Sequence, residues 1–496
     1  MSASLSKTPR GEAAGGAATL RSEIAPLVRL AAPVALTEVA WMTMGLVDTM
    51  MVGRVSAEAI GAVSIGSHVF FAFSMIGGGI LLGLDFLIAH AYGAGRMAEA
   101  HRALAQGVLL AAALAVASTA LLWFAAGELH WLGIDAGVLA LGVPYLRTTA
   151  LGLLPVLVFV AIRRYLQAIG LVRPILLIAI SSNAINAAAN WALIFGHLGA
   201  PALGAVGSAW ATTISRFYML LCLLGFVAWH ARREDPALLR TSLRPDRAVL
   251  RRIARLGLPA ASQLTAEVGV FTAATLLAAK LDPVSLAAHQ VALGVAALSF
   301  MVPLGTSIAA STRVGQAAGR QDRPAMVRSG WTALFLGASF MSLSATVFLL
   351  FPHAILRIFT DNEAVVATGV RLLFVAAIFQ LFDGLQVVAT GVLRGTGDTR
   401  TGMIAGLTGY WVLGLPLGYA LCFSRGLGVI GLWIGLSAGL IVVAVALVAV
   451  WARRVKHLSE QPALGELTRR TAPGQHRRRG SWRPWSRRLE PKRETP

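Results

Sequence analysis

The octapeptides LQAIGLVR at residues 166–173 and LRGTGDTR at residues 393–400 stand 227 residues apart, and each closes a long apolar run with a glycine and an arginine. The same register recurs elsewhere. Pro33 and Pro259 are 226 residues apart, and Ala94-Gly95-Arg96 echoes Ala318-Gly319-Arg320. The chain therefore reads as two copies of one unit. If each copy holds an even number of membrane spans, both enter the bilayer with the same orientation, and their pseudo-twofold axis runs along the membrane normal. Two such bundles can rock about a site near the midplane, which is the architecture of alternating-access transport.

Composition requires the membrane. Of 496 residues, 56% are hydrophobic and only 13% charged, with a mean hydropathy of +0.70, which excludes a soluble globular chain. Apolar runs near 27–52, 60–90, 105–127, 138–162, 174–196 and 203–230 form the first set of spans. Those near 254–279, 284–312, 329–351, 366–392, 401–423 and 428–452 form the second. The expected fold is an all-α polytopic membrane protein with twelve helices in two six-helix lobes. Its parts are an N-tail (1–26), an N-lobe (27–231), a basic linker (232–252), a C-lobe (253–453) and a basic, disordered C-tail (454–496). Cys222 and Cys422 both lie in apolar runs and read as small core residues.

The net charge is +20, from 43 Lys and Arg against 23 Asp and Glu. If the tails and even-numbered loops face the cytoplasm, Arg54, Lys280, Arg357 and Arg425 are the basic residues left outside, and Arg147, Arg216 and Arg371 sit at or within helix ends. That asymmetry places both termini in the cytoplasm of an inner (plasma) membrane protein. The first 24 residues lack the apolar core of a cleavable signal. The arginine-rich C-tail with interleaved tryptophans is expected to be attracted to anionic lipids rather than to bind nucleic acid.

An ionised side chain near the bilayer centre costs several kcal/mol, roughly 3 on insertion scales, so each one needs a reason. Five carboxylates fall inside the spans: Glu38, Asp48, Asp85, Glu267 and Asp383. Glu267 has Gln263 one turn earlier, and Asp383 has Gln380 and Gln386 three residues to either side. These two acids form the candidate site for a proton or a cation, with Na⁺ possible as the metal. Asn183, Asn186 and Asn190 share one helix face and either join helices or line a polar cavity, the second being favoured. His289 reads as a core or capping residue, with Gln290 beside it as a possible supporting residue. Glu38 and Asp85 are further candidates for cavity lining.

Several stretches together resemble the multidrug and toxic compound extrusion (MATE) family, NorM-like branch. They are PVALTEVAWMTMGLVDTMMVGR (33–54) with SAEAIGAVSIG after it, AYGAGR (91–96), LGLPAASQLTAEVGVF (256–271), the run from 287 to 319, and FDGLQVVATGVLRGTGDTR (382–400). The resemblance covers about residues 27 to 453. It implies that Glu267 and Asp383 bind the coupling cation and that Asp48 serves proton coupling in the N-lobe. Some members of the other prokaryotic branch carry an aspartate where this chain has Asn190, four residues after Asn186, and a neutral amide cannot take up a proton. Asp85 resembles the second-helix pattern of plant and animal members.

The expected function is antiport without a cofactor, exporting diverse, often cationic, organic compounds as Na⁺ or H⁺ runs inward. The protein is expected to be a monomer whose partners are small-molecule substrates and membrane lipids. A lipid-linked precursor flippase of the wider superfamily is the alternative. It would need cationic side chains in the membrane interior, where only Arg147, Arg216 and Arg371 come near. An enzyme is not expected: there is no phosphate-binding loop, and Asp85 and His90 lack a third metal ligand.

Overall fold

The computed structural model describes residues 20–132 and 135–460, and all regular structure there is helical. The first half forms α1 (Leu20–Val52), α2 (Ala57–Leu81), α3 (Gly83–Gly93), α4 (Met97–Glu128), α5 (Ala136–Ala150), α6 (Leu153–Ala168), α7 (Arg173–Phe195) and α8 (Gly204–Glu234). The second half forms α9 (Arg247–Ala278), α10 (Pro283–Gly319), α11 (Arg323–Leu350), α12 (Pro352–Arg357) and α13 (Glu363–Gly395). After these, α14 (Arg400–Gly406) and α15 (Leu415–Tyr419) alternate with π-helical stretches at Leu407–Gly414 and Ala420–Ser424, and α16 (Gly428–Glu460) follows.

Ten segments are long and apolar enough to cross a bilayer, and α5 with α6, bent by 41° at their junction, makes an eleventh. The twelfth expected span is α9. It has 32 residues, but Arg247, Arg251, Arg252 and Arg255 on its first turns, followed by Gln263 and Glu267, make it less apolar than the rest.

Helix ends overrun the apolar windows because caps, not hydropathy, set them. Asp246, Asp282, Asp322 and Asn362 each accept backbone N–H bonds at the starts of α9, α10, α11 and α13. The side chain and backbone N–H of Ser285 bond the Asp282 carboxylate and hold it below the usual carboxylate range.

The helices cross the expected boundaries in three places. The N-tail gives way to helix at Leu20, and α16 continues through the first residues of the expected C-tail. The linker is largely structured: α8 runs to Glu234, a 3₁₀ turn spans Leu238–Arg240, and α9 begins at Arg247. The readings of residues 1–19 and 461–496 lie outside the described residues.

The two halves meet along one seam, where α1 and α3 pack on α10 and α2 packs on α9. Two glycines show how close the backbones come. A Cβ on Gly257 would strike the carbonyl oxygen of Ile80, and one on Gly319 would strike that of His90. The seam lies toward the ends that lead to the linker and to the loops after Gly93 and Gly319. The two halves therefore approach each other on the side that carries the linker.

Candidate functional site

In the second half, α13 carries a buried polar stripe. Asp383 is 6% exposed, and Gln380, Gln386, Thr390 and Arg394 are buried along the same helix. Facing it, α9 presents Gln263 and Glu267. Gln263 donates from Nε2 to Thr390 Oγ1 at 3.2 Å, which fixes the register of the two helices one turn from Glu267. Glu267 is half-buried, stands beside Gln386 and lies within electrostatic reach of both Asp383 and Arg394.

The π-helical stretch Leu407–Gly414 completes this cluster. It buries Tyr410 close enough to feel both carboxylates, while Trp411 Nε1 donates to the carbonyl of Ala266 at 2.9 Å. Tyr410 is a residue that sequence reasoning missed, since an aromatic in an apolar run reads as packing. π-Turns interrupt helical periodicity and recur at functional sites.

Buried hydrogen-bonding atoms normally have partners. Here the Tyr410 hydroxyl, both polar atoms of the Gln386 amide and Gln380 Oε1 have none among the described residues. Gln380 faces away from the acids with its nitrogen, donating to Ser299 Oγ (2.6 Å) and Ser344 Oγ (3.1 Å) and so joining α13 to α10 and α11. Two carboxylates, a phenol and an amide oxygen form an all-oxygen donor set of the kind that suits a hard monovalent cation, and a carboxylate alone suits a proton. No group of three or more His, Cys, Asp or Glu able to hold a metal occurs among the described residues.

The first half holds a different acid. Asp48 on α1 is buried, and both of its oxygens are taken: Asn190 Nδ2 donates to Oδ1 at 2.6 Å and Thr212 Oγ1 to Oδ2 at 2.7 Å. Asn190 also donates to Asn186 Oδ1 at 3.1 Å, and Asn186 donates to Thr212 at 3.4 Å. Asn183 bonds the carbonyl oxygens of Ala40 and Ala179. Asn186 and Asn190 therefore join α1, α7 and α8 inside the packed interior rather than lining an open cavity: their amide nitrogens are taken by Thr212, Asp48 and Asn186, while Asn190 Oδ1 has no partner among the described residues.

Between the halves lies a third cluster. Arg163 donates to Glu38 at 3.0 Å, with its guanidinium 5.0 Å from the centre of the Trp41 ring. Asp85 stands 3.6 Å from Arg164 of its own half and 3.5 Å from Arg394 of the other. Gln316 of α10 donates to the carbonyl of Ala168 at 2.8 Å across the same seam. Near the tip of α1, Glu23 accepts from Arg313 at 2.6 Å and from Ser329 at 3.2 Å. Glu38 and Asp85 are thus ion-pair partners rather than cavity lining.

The sequence reading placed Arg163, Arg164 and Arg394 in loops, and the structure corrects this: all three are buried within α6 and α13. A usable signal existed, since two acids in apolar spans need cations and these are the arginines at the span edges.

His289 is buried between Thr275 Oγ1 (2.9 Å) and the Trp433 indole N–H (3.0 Å), a core role. Gln290 is exposed on α10.

The MatE family pattern matches residues 33–192 and 259–420, once in each half. The chain is 37% identical over 441 residues to a Mesorhizobium japonicum protein described as "Probable multidrug resistance protein NorM", covering 88% of this chain and 94% of that one. It is 37% identical over 426 residues to "Multidrug resistance protein NorM" of Burkholderia vietnamiensis, covering 84% and 91%. A solved structure described as the outward-facing conformation of a multidrug resistance MATE family transporter superposes with a TM-score of 0.80 at 20% identity, covering 89% and 98%.

Proposed function

Because this chain belongs to the MatE family, we propose that it exports diverse, often cationic, organic compounds in exchange for Na⁺ or H⁺ moving inward through Glu267 and Asp383. The observation that carries the reading is a pair of acids beside buried oxygens that lack partners among the described residues. A bound proton or Na⁺ neutralises part of that charge, and an organic cation competes for the same field, so one occupant favours release of the other. Two carboxylates that repel each other when both are empty supply the differential affinity that such exchange needs.

The seam supplies the gate. With the termini and linker in the cytoplasm, Asp85, paired with Arg164 of its own half and Arg394 of the other, ties the inner ends of the two halves together. Alternating access then requires the Asp85–Arg394 pair, the one of the two that joins the halves, to separate. The protein acts in this scheme as a monomer of the inner membrane, without a cofactor and without a covalent step.

The flippase alternative asks for free cations in the interior. Arg163, Arg164 and Arg394 are there, each committed to a carboxylate, while Arg216 donates to the carbonyl of Thr149 and lies over the Phe70 ring.

The test is efflux of a fluorescent organic cation in inverted vesicles under separately imposed Na⁺ and pH gradients. Glu267→Gln and Asp383→Asn are expected to lower gradient-driven transport at least about tenfold, equivalent to about 1.4 kcal/mol of lost coupling. Transport at the parent's rate by both variants, under either gradient, overturns the assignment.

A further inference from the structure

The segment joining the two halves folds against the first turns of α4 and is pinned at both ends. Gln106, buried on α4, donates from Nε2 to the carbonyl of Arg244 at 2.9 Å and accepts from the N–H of Asp246 at 2.8 Å. His101, also buried, places Nε2 2.9 Å from Asp235 Oδ2. Between these pins opens a cavity of about 380 Å³ whose wall carries Arg102, Arg240 and Arg244 together with Thr241 and Ser242.

No carboxylate of the described residues forms an ion pair with any of those three arginines. The one acid in the wall, Asp246, is occupied in capping α9 through the N–H groups of Ala248 and Val249. Three exposed arginines line one cup, and the planar fork of arginine matches phosphate oxygens two at a time.

The same segment also says where the anion comes from. Leu239 and Leu243, 54% and 61% exposed, alternate with Arg240 and Arg244 along the linker. Trp229, 48% exposed near the end of α8, has the Arg233 guanidinium 4.9 Å from its ring centre, the pairing expected where a helix leaves the hydrocarbon. Exposed leucines between arginines suit acyl chains beside phosphates; a freely diffusing phosphate would leave the leucines in water.

We propose that this cup binds the phosphodiester headgroup of an anionic phospholipid from the leaflet facing the linker, with the acyl chains lying beside Leu239 and Leu243. The occupant fastens the linker to the first half. The assignment stands on the cavity and its charges and does not depend on the identity of the exported compounds.

The experiment is native mass spectrometry of the full-length protein in detergent, titrated with phosphatidylglycerol, with phosphatidylcholine and with inorganic phosphate. The parent is expected to bind its first phosphatidylglycerol at least about tenfold more tightly than phosphatidylcholine, since each surface cation contributes about 1 kcal/mol toward anionic lipid. The triple variant Arg102→Gln/Arg240→Gln/Arg244→Gln is expected to reduce that preference to about twofold or less. Arg247→Gln/Arg251→Gln/Arg252→Gln removes the same charge from the start of α9 and is expected to keep the preference within about twofold of the parent. If the first triple folds poorly, Arg240→Gln alone is expected to weaken phosphatidylglycerol binding about fivefold. Equal loss in both triples would show diffuse attraction instead of a site. Unchanged binding in the first triple, or displacement of the lipid by millimolar phosphate, would also overturn the proposal.

Discussion

Asp48 in the first half and the Glu267–Asp383 pair in the second are all acids in spanning helices, and they are furnished in opposite ways. Asp48 accepts from one amide and one hydroxyl at 2.6 and 2.7 Å, so both of its oxygens are engaged by neutral donors. The second-half pair has the reverse surroundings: two acids within electrostatic reach of each other, beside a phenol and an amide that bond to nothing among the described residues. A carboxylate saturated by neutral donors behaves as part of the packing in this conformation. One surrounded by unused oxygens is arranged for a positive partner that comes and goes. The repeat copied the scaffold and left the chemistry different.

This contrast predicts that stability and transport divide between the halves. Asp48→Ala leaves Asn190 Nδ2 and Thr212 Oγ1 buried with lost acceptors, and each such group costs about 1–3 kcal/mol, so a loss of about 3 kcal/mol is expected. Thermal unfolding of the detergent-solubilised protein should show it as a clear drop in Tm. Glu267→Gln and Asp383→Asn, which remove charges without stranding a donor, should stay within about 1 kcal/mol of the parent. Equal destabilisation in both halves would break the comparison.

A finer version replaces one donor. Thr212→Val keeps the shape at α8 but removes the hydroxyl that holds Asp48 Oδ2, and it should cost about 1.5 kcal/mol. Thr212→Ser restores the hydroxyl and should recover all but about 0.5 kcal/mol. The pair of variants, measured in the same unfolding assay, separates the hydrogen bond from the loss of one methyl group.

How much of this was legible beforehand follows from what each feature needs. Long apolar runs and their repetition are demands of the bilayer, so the two-lobe helical fold could be read from residues 166–173 and 393–400 outward. Glu267 and Asp383 were visible because charge in an apolar run is conspicuous. The arginines were not, because a hydropathy window ends a span at its first cation, and Arg163, Arg164 and Arg394 sit where α6 and α13 continue past that point. Asn186 and Asn190 showed their helical spacing, but whether they faced a cavity or Asp48 depended on how α1 packs against α7, which spacing does not encode. Tyr410 was hidden twice, by its apolar neighbours and by a π-turn that shifts the face it presents.

Tyr410 offers the gentlest probe of the comparison. Its hydroxyl is buried with no partner among the described residues, so Tyr410→Phe should leave Tm unchanged within the equivalent of about 0.5 kcal/mol. If the hydroxyl serves the coupling ion instead, its loss removes one ligand or hydrogen bond of about 0.5–1.5 kcal/mol, which raises the half-saturating Na⁺ or H⁺ concentration about two- to tenfold with little change in maximal efflux. Vesicle efflux measured across a series of Na⁺ concentrations at fixed pH, and across pH without Na⁺, reads that shift and shows which ion moves it. A lower Tm with unchanged ion dependence would place Tyr410 with Asp48 among the packing groups, and the difference between the two acid clusters would then rest on Glu267, Asp383 and Gln386 alone.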